Sequence, residues 1–241
     1  MSIAIAILCS DGVVLGTDSG ATMVGGPEGA IMEHSSGIKL FICNQFLVAI
    51  VGEKGLGQRF LPVLEDVSKG DKFEKATPIE KAVQVAAKAQ FEFARTHFGK
   101  SYNFECFAAF KDSDESVLIE FAEGMRPERK TDDAWFAVIG SGAFIAGPFL
   151  GFLRRLLYPN SQPKVEEALP ILVWALTQTF HFNTGGIQGP AQIGVLQSGS
   201  TGKMEILTEK DVQELLAKLG HAEERIREAW LQPLPAPPSP Q

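Results

Sequence analysis

From Ile3 to Cys9 the chain carries no charge, and β-branched isoleucine alternates with alanine as far as Ile7. That pattern predicts a strand packed on both faces. Asp11-Gly12 is a hairpin dipeptide, and Val13 to Leu15 returns as the second strand. The stretch from Ser19 to Ser36 is rich in glycine, lacks a period and holds Gly25-Gly26-Pro27 near its middle, so a loop is expected there. Lys39 to Cys43 and Phe46 to Val51 read as strands about a tight Asn44-Gln45 turn, with a helix after Gly52 through Ser68.

The next helix is signposted by Thr77-Pro78-Ile79-Glu80, a capping hydroxyl, a proline at the first helical position and a glutamate at the capping-box position. Two adjoining apolar stripes follow, Ile79-Ala82-Ala86-Ala89-Phe93 and Val83-Ala87-Phe91-Ala94-Phe98. Such breadth predicts a sheet beneath the helix and a neighbour beside it. His97 at its end reads as a partner of the helix dipole. Strands are expected at Asn103 to Lys111, Ser116 to Ala122 and Ala134 to Ile139, the last two joined by a charged, solvated connection from Glu123 to Asp133. Helical periodicity resumes after Gly140-Ser141-Gly142 and runs to about Leu157, then again from Lys164 to Phe180. Ala191 to Gln197 and Lys203 to Leu207 close the strands. Thr208-Glu209-Lys210-Asp211 caps a last helix with the stripe Val212, Leu215, Leu216, Leu219, Ile226 and Trp230. This order of elements is that of an α+β protein.

Composition narrows the picture. With 241 residues, 45% of them hydrophobic and 21% charged, the chain is long enough for one large domain with a full core, expected over 1–231. Gln232 to Gln241 holds five prolines and is expected to be an extended tail. The formal charge is −7 and no Lys/Arg run exceeds two, which argues against nucleic-acid or anionic-membrane binding. Cys9, Cys43 and Cys106 each sit in an expected strand, without CxxC spacing, so they read as small core residues in a reducing compartment. Ala134 to Leu153 is uncharged over transmembrane length, but its glycines and Pro148 favour a buried strand, turn and helix over a span. A strand beginning at the third residue leaves no room for a signal peptide, and a cytoplasmic protein is expected.

Ser2 supplies the candidate chemistry. Removal of Met1, which a small second residue permits, would give Ser2 both a hydroxyl and a free α-amine, a nucleophile with its own base. The block Asp11-Gly12-Val13-Val14-Leu15-Gly16-Thr17-Asp18-Ser19-Gly20-Ala21-Thr22 resembles the start of proteasome β-type subunits, where a D/G-G-V-V turn leads into A-D-S-R-A-T. Lys39 to Gly52 is similar to that family's lysine, strand, turn, strand and glycine block. Ile139-Gly140-Ser141-Gly142 resembles its I-G-S-G, and Thr184-Gly185-Gly186 its S-G-G. These landmarks recur in order, so the chain is identified as resembling the amino-terminal-nucleophile hydrolases of the proteasome β type, in a bacterial form.

The resemblance implies a four-layer αββα sandwich, two stacked antiparallel sheets with helices on both outer faces. It places Ser2 as nucleophile, Asp18 and Lys39 as its charged partners, Ser141 and Thr184 as hydroxyls holding the amine, and the Gly52 N–H as oxyanion donor. Ala21, Gly37, Phe41, Ile50 and Val51 fall on the pocket for the residue before the cut, all of them uncharged. Two departures stand out: Gly20 replaces the motif's arginine, and His181 occupies the acidic position three residues before the S-G-G element. A histidine there implies lowered activity, a moved pH optimum or an inactive subunit. The expected function is peptide-bond hydrolysis without metal or cofactor, on peptides or unfolded protein, in a homo-oligomeric ring or spiral. A catalytically silent assembly subunit and a small-amide amidase are the alternatives; nothing in the sequence specifies a regulatory ATPase unfoldase.

Overall fold

The computed structural model describes residues 2–24, 31–97, 103–182, 187–199 and 202–231, with backbone alone at 21–24, 31–36, 96 and 97. β1 (Ala4–Cys9) and β2 (Gly12–Thr17) form the hairpin expected at Asp11-Gly12, in register from Ala4 opposite Thr17 to Cys9 opposite Gly12. Every residue of both strands is buried, as their uncharged sequences require. The segment from Ser19 to Ser36 corrects the expectation of a loop, because β3 (Gly20–Val24) pairs antiparallel with β4 (Ile31–Ser36). The apolar and β-branched residues at the two ends of that segment suit strands, while the glycines between them erase any continuous period.

β5 (Leu40–Cys43) and β6 (Phe46–Gly52) pair about Asn44, whose φ of 51° suits the tight turn. α1 (Lys54–Ser68), a single turn α2 (Asp71–Glu74) and α3 (Pro78–His97) follow. The capping box at the start of α3 forms, with Glu80 accepting from both the N–H and the hydroxyl of Thr77 at 2.8 Å. β7 (Phe104–Asp112) and β8 (Glu115–Ala122) lead into β9 (Arg126–Arg129), a strand where a solvated connection was expected. β9 is an edge strand, the one place in a sheet where a charged run is favourable. A 3₁₀ turn at Asp132–Ala134 leads into the uncharged stretch, which β10 (Phe136–Ile139) and α4 (Ala143–Leu157) occupy, and no helix of the described residues is long and apolar enough to cross a membrane. α5 (Val165–Phe182), β11 (Gln192–Gln197), β12 (Met204–Ile206) and α6 (Glu209–Leu231) complete the described chain. The proline-rich tail, 232–241, lies outside it.

The strands make two five-stranded antiparallel sheets, ordered β10-β1-β2-β11-β12 and β5-β6-β7-β8-β9, beside the β3-β4 pair. β1 and β2 touch β6 and β8, so the two sheets meet; α4 and α5 lie on the first, and α1 and α3 on the second. One core fills the space between the sheets and under α5, from Ile3, Ile5 and Ile7 to Leu172 and Leu176. A second, built on Phe46, Phe60, Phe93 and Phe104, fills the space under α1 and α3. Each such large side chain contributes about 1.5–3 kcal/mol on burial. Cys9, Cys43 and Cys106 are buried free thiols in β1, β5 and β7.

Two helices bury less than their patterns announce. On α3, Ala82, Ala86, Ala89 and Phe93 are packed, but the adjoining stripe faces outward, with Phe91 66% exposed. The sheet and α1 together cover only the first stripe, and that from Ala82 onward, Ile79 at its start staying exposed; Phe98 lies outside the described residues, and the side chain of His97 is not described. On α6, Val212 and Leu219 are buried against the core, whereas Trp230 is 86% exposed because the helix continues past the body it packs on.

Candidate functional site

Ser2 precedes β1, Asp18 follows β2, and Lys39 precedes β5, so three strand ends from two sheets converge. Lys39 Nζ lies 2.8 Å from each carboxylate oxygen of Asp18 and 3.0 Å from Ser2 Oγ. An ammonium has three hydrogens, and these three acceptors account for them. Asp18 is fully buried and also accepts the N–H of Ile3 at 3.0 Å and of Gly20 at 3.1 Å. Burial is the largest influence on both members of the pair: it raises the Asp18 carboxyl and lowers the Lys39 ammonium, and their attraction draws each back.

The other side of Ser2 is held by the turn between β10 and α4. The Ser141 hydroxyl accepts the Ser2 N–H at 3.2 Å and donates to the Ser2 carbonyl at 3.3 Å, and the Gly142 N–H donates to the same carbonyl at 3.3 Å. Gly140 is required for this approach, since φ is 86° and a Cβ there would stand 2.5 Å from the Ser2 carbonyl oxygen. Gly52 is a second such position, with φ 99° and space for a Cβ blocked by the Asn103 carbonyl at 2.1 Å. Ile50 donates its N–H to the Lys39 carbonyl, and strand alternation turns the Gly52 N–H toward the same edge, past the start of β5.

Other residues named from sequence fall in different places. His181 lies on the last turn of α5, exposed, with Nδ1 3.0 Å from the Thr177 carbonyl of its own helix. Thr184 lies outside the described residues. Ala21 sits in the backbone of β3 opposite Ser35. Gly37 and Phe41 flank Lys39, half-buried, but Ile50 and Val51 point to opposite faces of β6: Ile50 into the core under α1, Val51 into the core between the sheets. Neighbouring residues of one strand cannot both present side chains to one pocket.

Sequence reasoning missed Gln192, the first residue of β11. Its carbonyl oxygen accepts the N–H groups of Lys39 at 2.9 Å and Leu40 at 3.2 Å, and its amide donates to the Gly37 carbonyl at 2.6 Å. The backbone on both sides of Lys39 is thereby clamped. A polar residue opening a strand with an apolar interior, Ile193 to Leu196, is the available signal. Thr17 and Ser19, which flank Asp18, carry buried hydroxyls that no described residue partners. Among the described residues no group of three or more His, Cys, Asp or Glu is placed to hold a metal.

The fold is shared with the ancestral β-subunit proteins called Anbu. Anbu from Yersinia bercovieri superposes with a TM-score of 0.74 at 17% identity, covering 99% of this chain and 100% of that one. A Gly-1 mutant of Anbu from Hyphomicrobium sp. strain MC1 gives 0.73 at 15% identity, over 98% and 100%. A structure described as the helical assembly of the Anbu complex from Pseudomonas aeruginosa gives 0.65 at 18%, over 98% of each chain. No protein-family model and no curated protein matches the sequence.

Proposed function

We propose that this chain is a proteasome-like peptidase subunit in which removal of Met1 leaves Ser2 as an amino-terminal nucleophile, within a four-layer αββα sandwich. The observation that carries the reading is the Lys39 ammonium shared between Asp18 and the Ser2 hydroxyl oxygen. Ser2 Oγ attacks the amide carbonyl while its own α-amine, directly or through a water, takes the proton. Lys39 stabilises the oxygen as negative charge develops, Asp18 keeps Lys39 charged and aimed, and Ser141 holds the amine, a task that the resemblance also assigns to Thr184. The Gly52 N–H receives the oxyanion. Collapse breaks the C–N bond and returns the proton to the leaving amine; water then hydrolyses the Ser2 ester.

Gly37 and the half-buried Phe41 beside Lys39 carry no charge, which favours hydrophobic residues before the cut, with discrimination of about 1–3 kcal/mol per methylene-sized difference. Ile50 and Val51, whose side chains are buried in the two cores, take no side-chain part in the pocket for that residue. The assembly is a homo-oligomer: Phe144 and Phe152 on α4 are exposed apolar side chains, and a structural neighbour is described as a helical assembly.

Intact mass and covalent labelling test the reading together. The processed protein is expected to lack Met1 and to take one equivalent of a β-lactone acylating probe at Ser2; a retained Met1 or an unlabelled Ser2 defeats it. His181, bound to its own helix, favours a second reading as a silent assembly subunit, which an unlabelled but oligomeric protein would support. Turnover of small amides in preference to peptides would instead assign an amidase.

A further inference from the structure

β7 alternates between two cores. Phe104, Cys106, Ala108 and Phe110 face the core under α1 and α3, and Phe107 and Ala109 face the core between the sheets. Glu105 takes the side of Phe107 and Ala109, so a carboxylate points into the inter-sheet space. It sits opposite Val51, one residue before Gly52, at the end of the sheet that also carries Lys39. Its Oε2 accepts the Gly140 N–H at 3.3 Å. Gly140 belongs to the turn that leaves β10 on the other sheet, the turn whose Ser141 and Gly142 grip the Ser2 main chain.

We propose that Glu105 is a positioning residue of the Ser2 site: by accepting the Gly140 N–H across the gap between the sheets, it seats the Gly140-Ser141-Gly142 turn against Ser2. Lys39 and Glu105 belong to one sheet, and Ser2 and the turn to the other. The Glu105 tie therefore helps fix the separation across which Lys39 Nζ meets Ser2 Oγ at 3.0 Å. It also brings a carboxylate to the Ser141 side of Ser2, in a chain whose corresponding position on α5 holds His181. The proposal rests on Ser2 being the nucleophile.

The test compares Glu105→Ala, Glu105→Gln and Glu105→Asp in the full, processed protein. The measurements are maximal labelling rate with the β-lactone probe, half-saturating probe concentration and Gly140 amide exchange. Glu105→Ala is expected to slow maximal labelling roughly tenfold or more with half-saturation unchanged, and the lost hydrogen bond to a charged acceptor also lowers the melting temperature by a few degrees. Glu105→Gln keeps an acceptor and is expected to restore most of the rate. Glu105→Asp, charged but a methylene shorter, is expected to behave like alanine. Gly140 exchange should accelerate in the alanine and aspartate variants alone. A maximal rate at the unsubstituted level in Glu105→Ala or Glu105→Asp, or a glutamine variant as slow as alanine, overturns the proposal. If unsubstituted Ser2 does not label, the nucleophile reading fails by itself; unchanged Gly140 exchange in Glu105→Ala then separately removes the tie.

Discussion

Lys39 and Lys81 each reach an aspartate on another element, and their surroundings separate what the two pairs do. Asp18 has no exposed surface; it is bonded by two backbone N–H groups besides the ammonium, and the remaining Lys39 hydrogen points at a hydroxyl. Asp112, at the end of β7, stays partly exposed, and Lys81 in the first turn of α3 lies over the Phe73 ring, 5.6 Å from its centroid. Burial raises Asp18 and lowers Lys39, so their protonation equilibria approach each other beside Ser2 Oγ. The Lys81 pair instead clasps a helix to a strand end. Similar ion pairs serve different ends according to what occupies the third donor.

Removing the lysines breaks the comparison most directly. Lys39→Ala is expected to cut cleavage of a fluorogenic peptide about a thousandfold or more, while Lys81→Ala stays within about twofold. Equal losses, measured on variants with intact circular dichroism, would erase the distinction. The aspartates should separate by stability. Asp18→Ala leaves a buried ammonium and two N–H groups unpaired and is expected to cost about 3–5 kcal/mol in urea unfolding. Asp112→Ala removes a carboxylate that stays partly exposed but leaves the buried Lys81 ammonium without it, and is expected to cost less, about 1–3 kcal/mol.

Gly140→Ala sharpens the site side of the comparison without touching either charge. The added Cβ meets the Ser2 carbonyl at φ 86°, a strain of about 1–3 kcal/mol, and both the melting temperature and the Ser2 labelling rate should fall. An unstrained alanine variant with full labelling would show that the turn does not set Ser2. The smallest effect is in pH. Activity that needs charged Lys39 declines as pH climbs through its pKa, and burial puts that alkaline limb below the ordinary 10.5. Asp18 favours the ammonium, so Asp18→Asn is expected to move the limb in the residual labelling rate to lower pH still. A limb that stays put would show that the two groups do not titrate together.

What could be read locally was set by local energies. The β1-β2 hairpin, the capping boxes at Thr77 and Thr208, and strands carrying all three cysteines follow from the character of adjacent side chains. The resemblance named Ser2, Asp18, Lys39 and Ser141, because motifs spaced along the chain survive without coordinates. Signals failed where burial depends on distant partners. The charged run of β9 is a strand only because β8 offers it an edge, and β3 and β4 pair across a glycine-rich interval that hides their common character.

The outer stripe of α3 shows the limit from the other side. Val83 and Phe91 have the same spacing as the buried stripe beside them, yet the sheet and α1 reach only one of the two. Periodicity specifies which residues share a face; what covers that face is decided by the packing of elements far apart in sequence. Gln192 and Glu105 belong to the same category. The polar opening of β11 singles out Gln192 but not its clamp on the backbone at Lys39, and nothing beside Glu105 points to the turn at Gly140, since each bond joins residues that only the meeting of two sheets brings together.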